Sequence, residues 1–222
     1  MIKNQQHITI LKAVMTLTTG LVIGYLDCYT FIRYDNNIIS AQTGNFVVLG
    51  VKLAAWDVVG ILENLILIAG FCIGTMVAFY CIGKTYLVYR DLLYRWTMFV
   101  GILLLTQFFL HDENMVLFLL SLLSGVGLSF FRDIGSVSLN STIMTGNFRM
   151  LYINFVDRFI FKNKAAKVMP YVSIALVFLI GAFVSRKLMW LSLLAHYQLI
   201  VAVSLIPYIF IFIYRKKERT AN

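Results

Sequence analysis

The chain has 222 residues, 60% of them hydrophobic and 13% charged, with a mean hydropathy of +0.84. Such values exclude an ordinary soluble domain and describe a multi-pass membrane protein whose chemistry lies in or beside the bilayer. A formal net charge of +9 would suggest nucleic acid in a soluble protein, but here Lys and Arg fall between apolar runs, the pattern of membrane orientation, so a nucleic-acid partner is not expected.

In chain order, Lys3 and Lys12 precede an apolar run from Ala13 to Ile32 that lacks a small-residue cleavage pattern. This first element is therefore expected as an uncleaved spanning helix over about 11–32. It carries Asp27 within Gly24-Tyr25-Leu26-Asp27-Cys28. An ionisable group inside a span is costly unless paired or wetted, which makes Asp27 a functional candidate; near the outer end of its helix, it can also snorkel to the interface. The next feature is Thr43-Gly44-Asn45-Phe46, followed by spans over about 61–82, 93–110 and 115–131. A second Thr-Gly-Asn-Phe, Thr145-Gly146-Asn147-Phe148, precedes spans over about 169–188 and 196–214. The pairs Gly20/Gly24, Gly70/Gly74 and Gly125/Ser129 have the small-xxx-small spacing of closely packed helix faces.

The two Thr-Gly-Asn-Phe copies lie 102 residues apart and divide the chain into repeats of about 11–110 and 115–214, within one integral membrane domain over 1–222. Each repeat reads helix, Thr-Gly-Asn segment, helix, helix. If those segments do not span and the N-terminus is inside, 15 Lys and Arg residues lie inside. They are Lys3, Lys12, Lys84, Arg90, Arg95, Arg132, Arg149, Arg158, Lys162, Lys164, Lys167, Arg215, Lys216, Lys217 and Arg219. Only 4 lie outside: Arg33, Lys52, Arg186 and Lys187. Counting the two segments as spans changes the split to 9 against 7 and puts Lys52, Arg149 and Arg158 in lipid. The positive-inside rule selects six spans, with both termini cytoplasmic. Three spans per repeat invert the second repeat relative to the first, so the fold class expected is all-α, a 3+3 inverted repeat with two short Thr-Gly-Asn helices.

From Asn45 onward, Phe46 to Ala55 suit a half-helix of about 10 to 12 residues, long enough for roughly half the hydrocarbon core. Thr43 or Asn45 is the expected N-cap, and Gly44 permits close backbone approach. An N-terminus aimed at the membrane centre offers free N–H donors and positive partial charge, suited to an anion or a carbonyl-bearing solute. In the second copy Phe148, Tyr152, Phe155 and Phe159 share a face, while Asn147, Asn154, Asp157 and Arg158 largely share another. Two arrangements fit it: a helix lying at the inner interface among anionic headgroups, or a re-entrant half-helix, which the repetition favours.

Enzymatic chemistry is not expected. Ser124-Gly125 and His196 have the residue types of an intramembrane serine protease, but their positions along their helices imply a depth mismatch of roughly 13 Å. HExxH, GxSxG, P-loop and dinucleotide motifs are all absent. Cys28, Cys72 and Cys81 show no CxxC spacing and are expected as small core residues, so no metal or cofactor is implied.

The combination Gly24-Tyr25-Leu26-Asp27, then Gln42-Thr43-Gly44-Asn45, then a second Thr-Gly-Asn after the Gly-Leu of the fourth helix resembles the YoaK-like family of bacterial multi-pass membrane proteins. The resemblance covers nearly the whole chain; it departs at Ser129-Phe130, where members often carry Gln-Asn. It implies a bacterial cytoplasmic membrane and about six spans, and supplies no substrate. The leading expectation is a secondary transporter or channel for a small solute, with Thr43, Gly44, Asn45, Thr145, Gly146 and Asn147 along the pathway and Asp27 as a coupling or gating carboxylate. The alternative is a non-transporting scaffold that organises partners or lipids, anionic headgroups among them, through its basic inner face and the Arg215-Lys216-Lys217 tail; a homo-oligomer is left open by both.

Overall fold

The computed structural model describes residues 2–34, 36–82, 88–140 and 144–221. In chain order these form α1 (Ile2–Arg33), α2 (Gln42–Ala54), α3 (Val58–Cys81), α4 (Val88–Phe108) and α5 (Glu113–Phe130). A hairpin of β1 (Asp133–Ile134) and β2 (Val137–Ser138) follows, then α6 (Met144–Phe159), α7 (Met169–Lys187), α8 (Leu193–Val203) and α9 (Ile206–Ala221). Lys84 and the side chains of Lys3, Lys216, Lys217 and Arg219, all counted above, lie outside the described residues. Apart from the antiparallel hairpin, with Gly135 at φ +65 in its turn, the regular elements among the described residues are helices.

Five helical stretches among the described residues are long and apolar enough to cross a membrane: Gln5–Arg33, Val58–Cys81, Glu113–Phe130, Met169–Lys187 and Leu193–Arg215. The expected third span is not among them: α4 has 21 residues but opens on Arg90, Asp91 and Arg95.

Several helix starts follow from local chemistry. The carboxylates of Asp57 and Asp112 accept from the N–H groups of Gly60 and Met115, each at 3.1 Å, and Ser192 Oγ accepts from Ala195 at 3.3 Å. Two expectations fail. Neither Thr43 nor Asn45 caps α2, because that helix begins at Gln42 with Ala41 as its cap residue and no side-chain bond. The sixth apolar stretch is not one helix but breaks into α8 and α9 just before Pro207, which has no N–H to give the carbonyl four residues back. The break leaves the carbonyl of Ser204 to accept from the buried indole of Trp96 at 2.9 Å.

The most extensive helix packing joins α1 to α7 and α3 to α5. Both crossings are made by glycine. A Cβ on Gly24 would enter the carbonyl of Phe178, and one on Gly181 the carbonyl of Leu21. Likewise, a Cβ on Gly74 would enter the carbonyl of Leu122, and one on Gly125 that of Phe71. In each pair, each glycine faces the carbonyl three residues before the other. The expected roles of Gly24, Gly70, Gly74 and Gly125 in close packing are thus observed, and Gly181 is an additional member.

Helix directions follow from the contacts. Gly70 meets Phe118, Gly74 meets Leu122 and Gly125 meets Thr75, so α3 and α5 run the same way and α4 returns between them. Leu17 packs beside Tyr171 and Ile174, with Gly24 against Phe178, so α1 and α7 also run together. The last pair of helices runs against α1, since His196 of α8 meets Tyr25 and Tyr29, while Tyr214 of α9 stacks on His7 at 4.5 Å.

Asp133 pairs with Lys12 at 3.4 Å. One further expectation changes. Cys28 and Cys81 are half-buried, but Cys72 is exposed on α3, so it is not a core residue.

Candidate functional site

The segment before α2 turns into the bundle. Asn36, at φ +62, ends α1 by donating its N–H to Phe31 O at 3.1 Å, a left-handed cap that Asn tolerates. Ile39 is fully buried, and its carbonyl lies 3.4 Å from Ser121 Oγ of α5, which also reaches Leu67 O of α3 at 2.5 Å. These partners lie eight and nine residues after the first residues of their helices, placing Ile39 roughly 12 Å below those helix ends. From there α2 runs back outward: Lys52, near its C-terminus, is buried against Glu63 at 3.7 Å, and Asn37 Nδ2 donates to the same Glu63 at 3.4 Å. Lys52 is therefore paired with the first turns of α3.

The second copy repeats the design. Buried Leu139 packs with Tyr171 and Ile174 of α7, and Met144 joins the same cluster. From that buried start α6 returns along α7: Asn154 Oδ1 accepts from Lys167 N at 3.0 Å, and Arg158 Nη1 donates to Lys164 O at 2.8 Å. Phe148, Tyr152, Phe155 and Phe159 face outward, while Asn147 faces the protein and is 3% exposed.

Asn45 and Asn147 perform one task at equivalent positions. Asn45 Nδ2 donates to Ile38 O at 2.8 Å; Asn147 Nδ2 donates to Asn140 O at 2.5 Å, and its Oδ1 accepts from Asn140 N at 3.0 Å. Each amide clasps the backbone seven residues earlier, and the clasped residues are themselves 102 apart. The two Thr-Gly-Asn-Phe copies thus share this one contact. It gives the two amides a holding role that the sequence alone does not disclose.

Both helix starts open on one cavity of about 540 Å³. Its walls include Gly24 and Asp27 of α1, Thr43 and Gly44 of α2, Thr145 of α6 and Phe178 of α7. Of the residues expected along a pathway, Asp27, Thr43, Gly44 and Thr145 are brought together, while Asn45, Gly146 and Asn147 stand behind the wall. Gly146 lies against the side chain of Asn140. Sequence reasoning missed Ser40, Gln42, Cys28 and Phe178, which also line the space. Phe178 carries no polar signal, and Ser40 precedes the motif.

Asp27 is 7% exposed and does not snorkel: Ser40 N donates to Oδ1 at 3.1 Å and Ser40 Oγ donates to Oδ2. The carboxylate therefore anchors the segment that leads into α2. Its counterpart by the repeat offset, Ser129, instead donates to Gly125 O of its own helix at 2.9 Å, so the charge belongs to one half only. At the start of α2, Asn45 N makes the first intrahelical bond, to Ala41 O at 3.0 Å. Ala41 brings no side-chain cap, so the first-turn amides of α2, those of Thr43 and Gly44 among them, receive no acceptor from the cap residue and carry positive partial charge beside the cavity. The cavity thus offers hydrogen-bond donors from backbone, threonine hydroxyls, one buried carboxylate and an apolar wall.

Elsewhere, His196 Nδ1 lies 2.5 Å from Tyr25 Oη and the ring packs on Tyr29 at 4.8 Å. Ser124 Oγ is buried with no hydrogen-bond partner among the described residues.

A model of the DUF1275 family, described as a protein of unknown function, matches residues 15–212. No curated protein and no solved structure matches the chain.

Proposed function

We propose that this chain, which belongs to the DUF1275 family, moves a small polar solute across the membrane through the cavity between the starts of α2 and α6. The observation that carries the reading is the convergence of Asp27, Thr43, Gly44 and Thr145 on one space of about 540 Å³. Broken or half-length helices whose N-termini meet near the middle of a bundle are the recurrent site of secondary transporters. Non-helical backbone at such depth is tolerated only where protein or water surrounds it, and both lead-in segments are held by protein side chains.

The reading takes the fold as six crossings in two inverted halves, with α2 and α6 re-entrant. Several features support it. The pair α1–α7 is exchanged with α5–α3 by swapping the halves, and both pairs use the same reciprocal glycine contact. The shared direction of α3 and α5 favours a traverse of the bundle by α4 despite its polar start. The clasps by Asn45 and Asn147 recur at the repeat offset. The distribution of Lys and Arg then orients both termini toward the cytoplasm. No covalent step is assigned to any residue. The donors at the α2 start favour an anion or a carbonyl-bearing solute, with Asp27 as the coupling or gating carboxylate.

Uptake by proteoliposomes from a pooled set of labelled metabolites tests this directly. Wild-type protein is expected to accumulate at least one anionic or carbonyl-bearing compound, and Thr43→Trp and Thr145→Trp, which fill the cavity from opposite halves, are each expected to lose most of that flux. Unchanged flux in both variants would remove the cavity from the pathway. A wild-type protein that moves nothing would favour the scaffold.

A further inference from the structure

A second cavity, of about 240 Å³, lies where the early part of α1, the start of α4 and the end of α5 meet. Three cations, Lys12, Arg95 and Arg132, face two carboxylates, Asp91 and Asp133, across it. Lys12 is held by Asp133 at 3.4 Å, and Arg95 by Asp91 at 2.5 Å. The Arg95 guanidinium also lies over the ring of Phe130, 5.4 Å from its centroid, so it is fixed in place before anything binds. Its Nε is buried and has no hydrogen-bond partner among the described residues. Arg132 is exposed at the rim, and no ion pair or side-chain hydrogen bond engages it among the described residues. Among the described residues the cavity therefore has one unmatched positive charge, one unfilled buried donor and an exposed arginine at its rim.

We propose that this cavity binds a phosphate group. Arginine forks match phosphate oxygens, and a fixed guanidinium with a free N–H supplies a donor without losing side-chain freedom. The Lys/Arg distribution puts this end of the bundle at the cytoplasmic surface, where basic pockets between membrane helices hold the headgroups of anionic lipids. The same chemistry would take free phosphate from the cytoplasm. The inference is independent of transport, since none of these residues lines the cavity between α2 and α6.

Two probes distinguish the sources. Native mass spectrometry of protein purified from mixed phosphatidylglycerol and phosphatidylcholine vesicles reads retained lipid, and thermal denaturation in lipid-free detergent with added inorganic phosphate reads the free ion. Wild type is expected to retain phosphatidylglycerol over phosphatidylcholine, to be stabilised by phosphate, or both. Arg132→Gln, which alters an exposed side chain and so keeps the fold, is expected to weaken whichever binding is seen roughly fivefold, the effect of one basic contact at a membrane surface. Lys12→Gln serves as a second variant. Equal retention of the two lipids together with no effect of phosphate overturns the proposal. So does binding that neither variant alters.

Discussion

Alanine at Gly74 or Gly181 is expected to destabilise the protein by roughly 1–3 kcal/mol, and leucine to prevent its assembly, because the new Cβ would collide with the carbonyl of Leu122 or Leu21. The obstacle is backbone, not a side chain that could rotate away. The helices must separate, and separation forfeits the close packing that drives association in lipid, where no hydrophobic force between helices replaces it. Gly24 and Gly125, which face the carbonyls of Phe178 and Phe71, should behave alike. Gly101 is the control: nothing lies within 4 Å of its would-be Cβ, and alanine there should be neutral or add up to about 1 kcal/mol through helix propensity. Thermal denaturation in detergent reads all five. A Gly74→Ala protein as stable as wild type would show that the α3–α5 crossing is looser than described.

Removing the Asp27 carboxylate has the second large expected effect. Asp27→Ala leaves the N–H and hydroxyl of Ser40 without their acceptor at a buried site, costing roughly 1–3 kcal/mol and loosening the segment that sets the start of α2. Asp27→Asn is the sharper variant. Its amide oxygen can still accept from Ser40 N and its amide nitrogen can donate to Ser40 Oγ, so the fold should survive while the titratable charge is gone. If Asp27 couples or gates transport, Asp27→Asn protein should be as stable as wild type yet lose the pH dependence of its flux. Identical pH profiles for the two proteins would reduce Asp27 to a structural anchor.

The parts of this account that were legible in the sequence are those written locally or periodically. Apolar runs located the long helices to within a few residues at most ends, because a span announces itself by length and composition. Glycine spacing marked helix faces that do pack closely, although it could not say that Gly24 meets α7 or that Gly74 meets α5. Such pairings depend on how distant segments dock. The Thr-Gly-Asn repeat marks the two helix starts that border the larger cavity, but side-chain direction gives its residues different places there. Asn45 and Asn147 turn back to clasp Ile38 and Asn140, while the threonines and Gly44 form the wall. Asp27 looked like a group near the water because only its distance from the helix end was visible. The backbone of Ser40, folded over it, has no sequence signature. Pro207 did carry a readable warning that the last apolar stretch would break.

The central claim, that the two repeated segments converge from the two halves of the chain on one space, is most directly tested by cross-linking. In a background with Cys28, Cys72 and Cys81 replaced by serine or alanine, Thr43→Cys and Thr145→Cys would be combined and treated in membranes with a short bifunctional thiol reagent. The account predicts efficient cross-linking within a single chain, and protection of both thiols by the transported solute once it is identified. Two cysteines that each react with a monofunctional reagent but never join each other would contradict it.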